Sequence, residues 1–75
     1  MFSQQLFSDR ILALRKEKGI LQSQLGKAIG LSQVAISRIE KGDRAVSVEV
    51  LCALVDFFDV SADYLLGLTD DPARH

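Results

Sequence analysis

The sequence predicts an all-α domain of five short helices. Three observations carry that prediction. Apolar residues recur at spacings of three and four, as in Phe7, Ile11 and Leu14, or Leu25 and Ile29, or Ile36 and Ile39. Glycines stand at positions 19, 30, 42 and 67, where those runs end. A helix commonly stops there in the left-handed conformation, which glycine adopts without steric cost. Serines stand just ahead of new runs, at 32, 47 and 61. There a hydroxyl can accept from the free N–H groups of the helix that follows.

The first helix carries Phe7, Ile11 and Leu14 and closes with the basic turn RKEKG, with either Ser3 or Ser8 near its start. Cations in a last turn complement the helix dipole. Arg10, Arg15, Lys16 and Lys18 are expected to face solvent rather than phosphate. The second helix runs from Gln22 to Ile29 behind Leu21, a residue without a capping group, so its start is expected to be weak. Gly26 inside it costs about 1 kcal/mol relative to alanine. Its place beside Leu25 suggests a close approach to the next helix. The third helix runs from Gln33 to Lys41, with Ile36 and Ile39 inward. Gln33, Val34, Ser37, Arg38 and Lys41 make one outward stripe. GDRAV is a loop. Ser47 then caps a fourth helix that is apolar almost all round. Val48, Leu51, Leu54, Val55 and Phe58 form its core face, and Val50, Ala53 and Phe57 form a second stripe. A helix apolar on two sides is buried on both, so the second stripe is a candidate subunit interface. Ser61 caps the short fifth helix ADYLL. Residues 1–69 are read as one domain and 70–75 as a flexible tail.

Seventy-five residues allow one domain with a small core, burying about 60% of the unfolded surface. A hydrophobic fraction of 48% with mixed charge fits a folded soluble chain. A single cysteine, Cys52, excludes an internal disulfide and suits a reducing cytoplasm. No apolar run approaches the roughly 20 residues of a membrane span. Net charge is −1, but its distribution is uneven. Residues 1–44 hold eight Lys and Arg against four acids, and residues 45–75 hold one Arg against six. A basic first half is the asymmetry of a polyanion-facing surface. The single histidine, His75, is terminal and offers no catalytic partner, and Asp59, Asp63, Asp70 and Asp71 lack calcium-loop spacing. No enzyme activity, metal, cofactor or small-molecule ligand is expected.

The outward stripe of the third helix is the functional candidate. Gln33 can pair bidentately with adenine in a major groove, Val34 can contact a thymine methyl, and Arg38 can read guanine or hold a phosphate. Ser37 can bond a base edge or a phosphate. Gln22 and Ser32, at helix starts, and Lys41 and Arg44, beyond the stripe, suit phosphates.

From Phe7 to Gly67 the chain resembles the phage-repressor-type helix-turn-helix family, also called the xenobiotic-response-element family. The matching residues are RILALRKEKG, Gln22, LGKAIGLSQVAISRIEKG and VSADYLLG. The resemblance implies a compact five-helix, lambda-repressor-like domain of bacterial or phage origin, with its helix-turn-helix at residues 22–41. It also implies sequence-specific binding to operator DNA, with Gln22, Gln33, Val34, Ser37 and Arg38 facing the duplex. Three departures stand out: Leu21 for a small hydroxyl residue, Gly26 for the usual alanine, and Asp59 where glycine or asparagine often ends the fourth helix. The expected function is a cytoplasmic transcriptional regulator, a repressor by resemblance, acting as a homodimer on a roughly palindromic operator. The alternative is a protein-interaction module, such as an antitoxin or adaptor.

Overall fold

The computed structural model describes residues 2–74, so His75 lies outside the described residues. Five helices follow in chain order: α1 (Gln4–Lys18), α2 (Gln22–Ile29), α3 (Gln33–Lys41), α4 (Val48–Phe58) and α5 (Ala62–Leu66). They pack α2 on α3 and α4, α1 on α3 and α5, and α4 on α5. One core runs through them: Phe7 and Ile11 from α1, Leu25 from α2, Ile36 and Ile39 from α3, Leu54 and Phe58 from α4, then Val60 and Leu65.

Local chemistry sets the helix ends. Ser3, Ser32, Ser47 and Ser61 each accept from a backbone N–H three residues on, at 3.0–3.2 Å. Of the two serines considered for the start of α1, Ser3 is the cap, and Ser8 is fully buried inside the helix. Leu21 supplies no side-chain cap, but the Gln24 side chain reaches back and accepts from the Leu21 N–H at 2.7 Å. That is half of a capping box, and it offsets part of the weakness at this helix start. Asp59 ends α4 at φ 54°, the only non-glycine residue with positive φ among those described. Its short polar side chain is among the few that tolerate this region.

The expected core face of α4 needs one correction. Leu54 and Phe58 are buried and Leu51 and Val55 pack against them, but Val48 is 74% exposed. It is the first residue of the helix, where the apolar face extends past the edge of the core. A second correction concerns α1. Arg10 is not solvated: it donates to the Tyr64 and Thr69 carbonyls, pairs with Asp70 at 2.8 Å, and lies over the Tyr64 ring at 4.1 Å. It thereby joins α1 to the end of α5. Residues beyond it return to the α4–α5 junction, where the Pro72 carbonyl accepts from the Ser61 N–H at 3.0 Å and Arg74 pairs with Asp56 and Asp59.

The turn between α2 and α3 is the tightest joint. Gly30 takes the left-handed conformation at φ 80°, and the Leu31 N–H donates to the Gly26 carbonyl at 2.7 Å. Gly26 lies directly beneath that turn. A Cβ placed on it would stand 2.5 Å from the Leu31 carbonyl oxygen and 3.3 Å from the Ser32 carbonyl carbon. The obstacle is backbone and cannot rotate aside. Gly26→Ala is therefore expected to destabilise the fold by about 2 kcal/mol, because overpacking outweighs the gain of about 1 kcal/mol in helix propensity. Urea unfolding checks this, and a variant as stable as the parent would contradict it.

Candidate nucleic-acid interface

α3 presents its stripe because Ala35, Ile36 and Ile39 are drawn into the core. Gln33, Val34, Ser37, Arg38 and Lys41 are left on the opposite side of the helix, Ser37 half-buried and the others exposed. Gln22, Gln33, Val34, Ser37, Arg38 and Lys41 line one shallow, open groove. It joins the start of α2 to the outer face of α3. Val34 is 68% exposed in it, a large apolar side chain with no core to serve. Ser32 and Arg44, the other two residues singled out from the sequence, do not line this groove. Ser32 sits at the N-cap of α3, where its hydroxyl accepts from Ala35 N–H at 3.1 Å. Its own proton is still able to donate. The exposed Arg44 lies in the α3–α4 loop, and its carbonyl is within 3.5 Å of the Gln4 amide nitrogen.

Behind the groove lies an arrangement that the sequence reading missed. Glu40, on the inner edge of α3, is buried. Its carboxylate accepts from Arg15 Nε at 2.6 Å, Arg15 Nη2 at 3.1 Å and Gln22 Nε2 at 2.9 Å. Arg15 also donates through Nη1 to the Ile20 carbonyl at 2.8 Å. Arg15 is thus not a solvated cation, as the sequence suggested; its side chain is 13% exposed and that of Glu40 only 4%. The hydrogen bond to Glu40, reinforced by the carboxylate charge, raises the guanidinium pKa against the lowering effect of burial. Three helices meet at this one carboxylate. It fixes Gln22 at the groove rim, using one of its two amide protons and leaving the other for an outside acceptor.

Charge on the outer face is more exposed. Arg38 Nε lies 3.6 Å from Asp43 Oδ1, with both side chains more than half exposed. Lys41 is exposed at the end of α3. The groove therefore combines amide, hydroxyl, methyl and cationic groups from α3 and the start of α2, a set able to meet base edges and phosphates.

The proposed interface stripe on α4 is less open than its sequence suggests. Val50, Ala53 and Phe57 are each half-buried. Phe57 packs edge-on to Phe58 at 5.1 Å, and Lys18 Nζ lies 5.3 Å from its ring centroid. Among the described residues no group of His, Cys, Asp or Glu could hold a metal ion, and no helix is long and apolar enough to cross a membrane.

This geometry has close counterparts. Residues 11–65 match a family described as helix-turn-helix. The chain is 34% identical over 67 residues to a Bacillus subtilis protein named as an HTH-type transcriptional regulator, YobD, covering 89% of this chain and 60% of that one. It is 45% identical over 62 residues to repressor protein C2 of Salmonella phage P22, covering 83% of this chain but 29% of the repressor. The chain thus spans under two thirds of either relative. The crystal structure of the P22 c2 repressor bound to a synthetic operator superimposes with a TM-score of 0.78 at 45% identity, over 83% of this chain and 94% of that one. The match over residues 11–65, which reaches from within α1 to within α5, places this chain in the helix-turn-helix family.

Proposed function

We propose that the protein is a sequence-specific DNA-binding transcriptional regulator that inserts α3 into a major groove. The observation that carries this reading is the groove of Gln22, Gln33, Val34, Ser37, Arg38 and Lys41, which gathers base-reading and phosphate-holding groups on one helix face. Gln33, Val34, Ser37 and Arg38 read bases, with Val34 against a thymine methyl. Gln22, Ser32, Lys41 and Arg44 hold phosphates and set the register. Phosphate contacts supply much of the affinity, so binding weakens steeply with salt. Repression is the favoured outcome, by likeness to the P22 repressor. The chemistry of the site is recognition, with no enzymatic step, in a cytoplasmic protein of bacterial or phage origin.

The test is selection of bound duplexes from random DNA, followed by gel shift over a salt series. A recovered consensus whose binding weakens with salt and with Arg38→Ala supports the reading. Binding that ignores both would favour a protein-interaction module instead.

The regulator acts as a homodimer on a roughly palindromic operator, its two α3 helices entering successive major grooves about 34 Å apart. Val50, Ala53 and Phe57 are the contact residues. Because Phe57 also packs on Phe58, Ala53→Arg is the cleaner probe. It is expected to shift the sedimenting species from dimer to monomer while the helix content measured by circular dichroism stays that of the parent. A dimer that survives this change does not use the α4 stripe.

A further inference from the structure

We propose that Asp43 is a specificity-determining residue: its carboxylate holds Arg38 for base reading and penalises binding to unselected DNA. The inference rests on the DNA-binding reading given above. Gly42 ends α3 in the left-handed conformation at φ 81°, and the Asp43 N–H then donates back to the Arg38 carbonyl at 3.1 Å. The backbone therefore returns Asp43 to a position beside Arg38, and the loop is anchored rather than free to carry the carboxylate away. The two side chains meet at 3.6 Å through Arg38 Nε. An ion pair made through Nε leaves the terminal Nη1–Nη2 edge of the planar guanidinium to meet a guanine.

A contribution to folding does not explain this pair. The side chains are 56% and 59% exposed, and exposed pairs contribute little to stability. Its position is more telling. Asp43 is an acid placed between Lys41 and Arg44, two residues assigned to phosphates, and it adjoins the arginine of the recognition helix. A fixed negative charge at that rim repels every duplex backbone alike. On the correct sequence, the base contacts made by a pre-positioned Arg38 offset the repulsion. On other sequences nothing does, and Asp43 keeps Arg38 from turning to the nearest phosphate. The uniform repulsion cancels between sequences, so discrimination comes from Arg38 being held toward the bases and away from the phosphates.

The experiment compares the full chain with Asp43→Asn on two duplexes of equal length, the one selected from random DNA and one of unrelated sequence, over a salt series. Asp43→Asn is expected to tighten binding to the unrelated duplex by about threefold to tenfold, and to steepen its log-affinity against log-salt slope by about one. The selected duplex gains less, because Arg38 loses its support there, so the specificity ratio falls at least about threefold. In an Arg38→Ala background the same substitution leaves that ratio unchanged. Equal tightening on both duplexes, or a ratio unchanged in the parent background, overturns the proposal while leaving the DNA reading intact. A parent chain that binds neither duplex overturns both.

Discussion

Glu40→Ala should cost this protein about 3–5 kcal/mol, the usual penalty for removing one partner of a buried ion pair. The reason is what remains. Arg15 keeps its charge, its burial and one hydrogen bond to the Ile20 carbonyl, but loses both bonds to the carboxylate. Gln22 loses its acceptor at the same moment. For a chain of 75 residues, total stability is about 4–11 kcal/mol, so the change removes a large fraction of it. A domain of this size loses about 4–8 °C of melting temperature per kcal/mol, so a fall of at least about 12 °C in thermal unfolding is expected. The double variant Arg15→Met with Glu40→Leu should recover much of the loss, because it removes both charges and keeps the volume. A single variant that melts within a few degrees of the parent would show that water or a neighbour rescues Arg15. The pH dependence has a definite sign. A guanidinium whose pKa is raised by folding adds stability that is fully present below its unfolded pKa and lost as pH rises through the folded one. For Arg15 that loss lies in the strongly alkaline range, so its contribution is constant near neutrality.

The second large effect is on binding. Gln33→Ala combined with Arg38→Ala removes two side chains suited to bidentate base contacts, each worth about 1–3 kcal/mol of discrimination. Affinity for the selected duplex should fall by about two to three orders of magnitude, with binding to unrelated DNA changed far less. Both positions are exposed, so the melting temperature should stay near that of the parent. Equal losses on selected and unrelated duplexes would mean that α3 holds the backbone without reading bases.

The two effects differ in how far the sequence foretells them. The stripe of α3 is legible because helical spacing alone separates Ile36 and Ile39 from Gln33, Ser37 and Arg38. The helix ends are legible because serine and left-handed glycine have local reasons to be there, four residues or fewer from the groups they serve. Glu40 is different. Its partner Arg15 is 25 residues away, and nothing local distinguishes it from an ordinary solvated acid near the end of a helix. Arg10 was hidden for the same reason, since its partners lie 54 and more residues on. Val48 shows the opposite limit: periodicity assigns a face but not the point where the core beneath it ends. Gly26 lies between these cases. Its presence within a helix signals a close approach, but only the fold reveals that the approaching group is the Leu31 carbonyl.

These features converge on one account. Gly26 and the Gly30 turn set the angle between α2 and α3, the Arg15–Glu40–Gln22 cluster fixes that pair against α1, and the face so presented is the one proposed to meet DNA. The most direct measurement is amide chemical-shift mapping on the labelled protein as the selected duplex is titrated in. The account predicts that the largest changes fall on Gln22, on Ser32 through Arg38, and on Lys41 and Arg44, with α5 little affected. Changes centred instead on the acidic α4–α5 surface, with α3 silent, would contradict it.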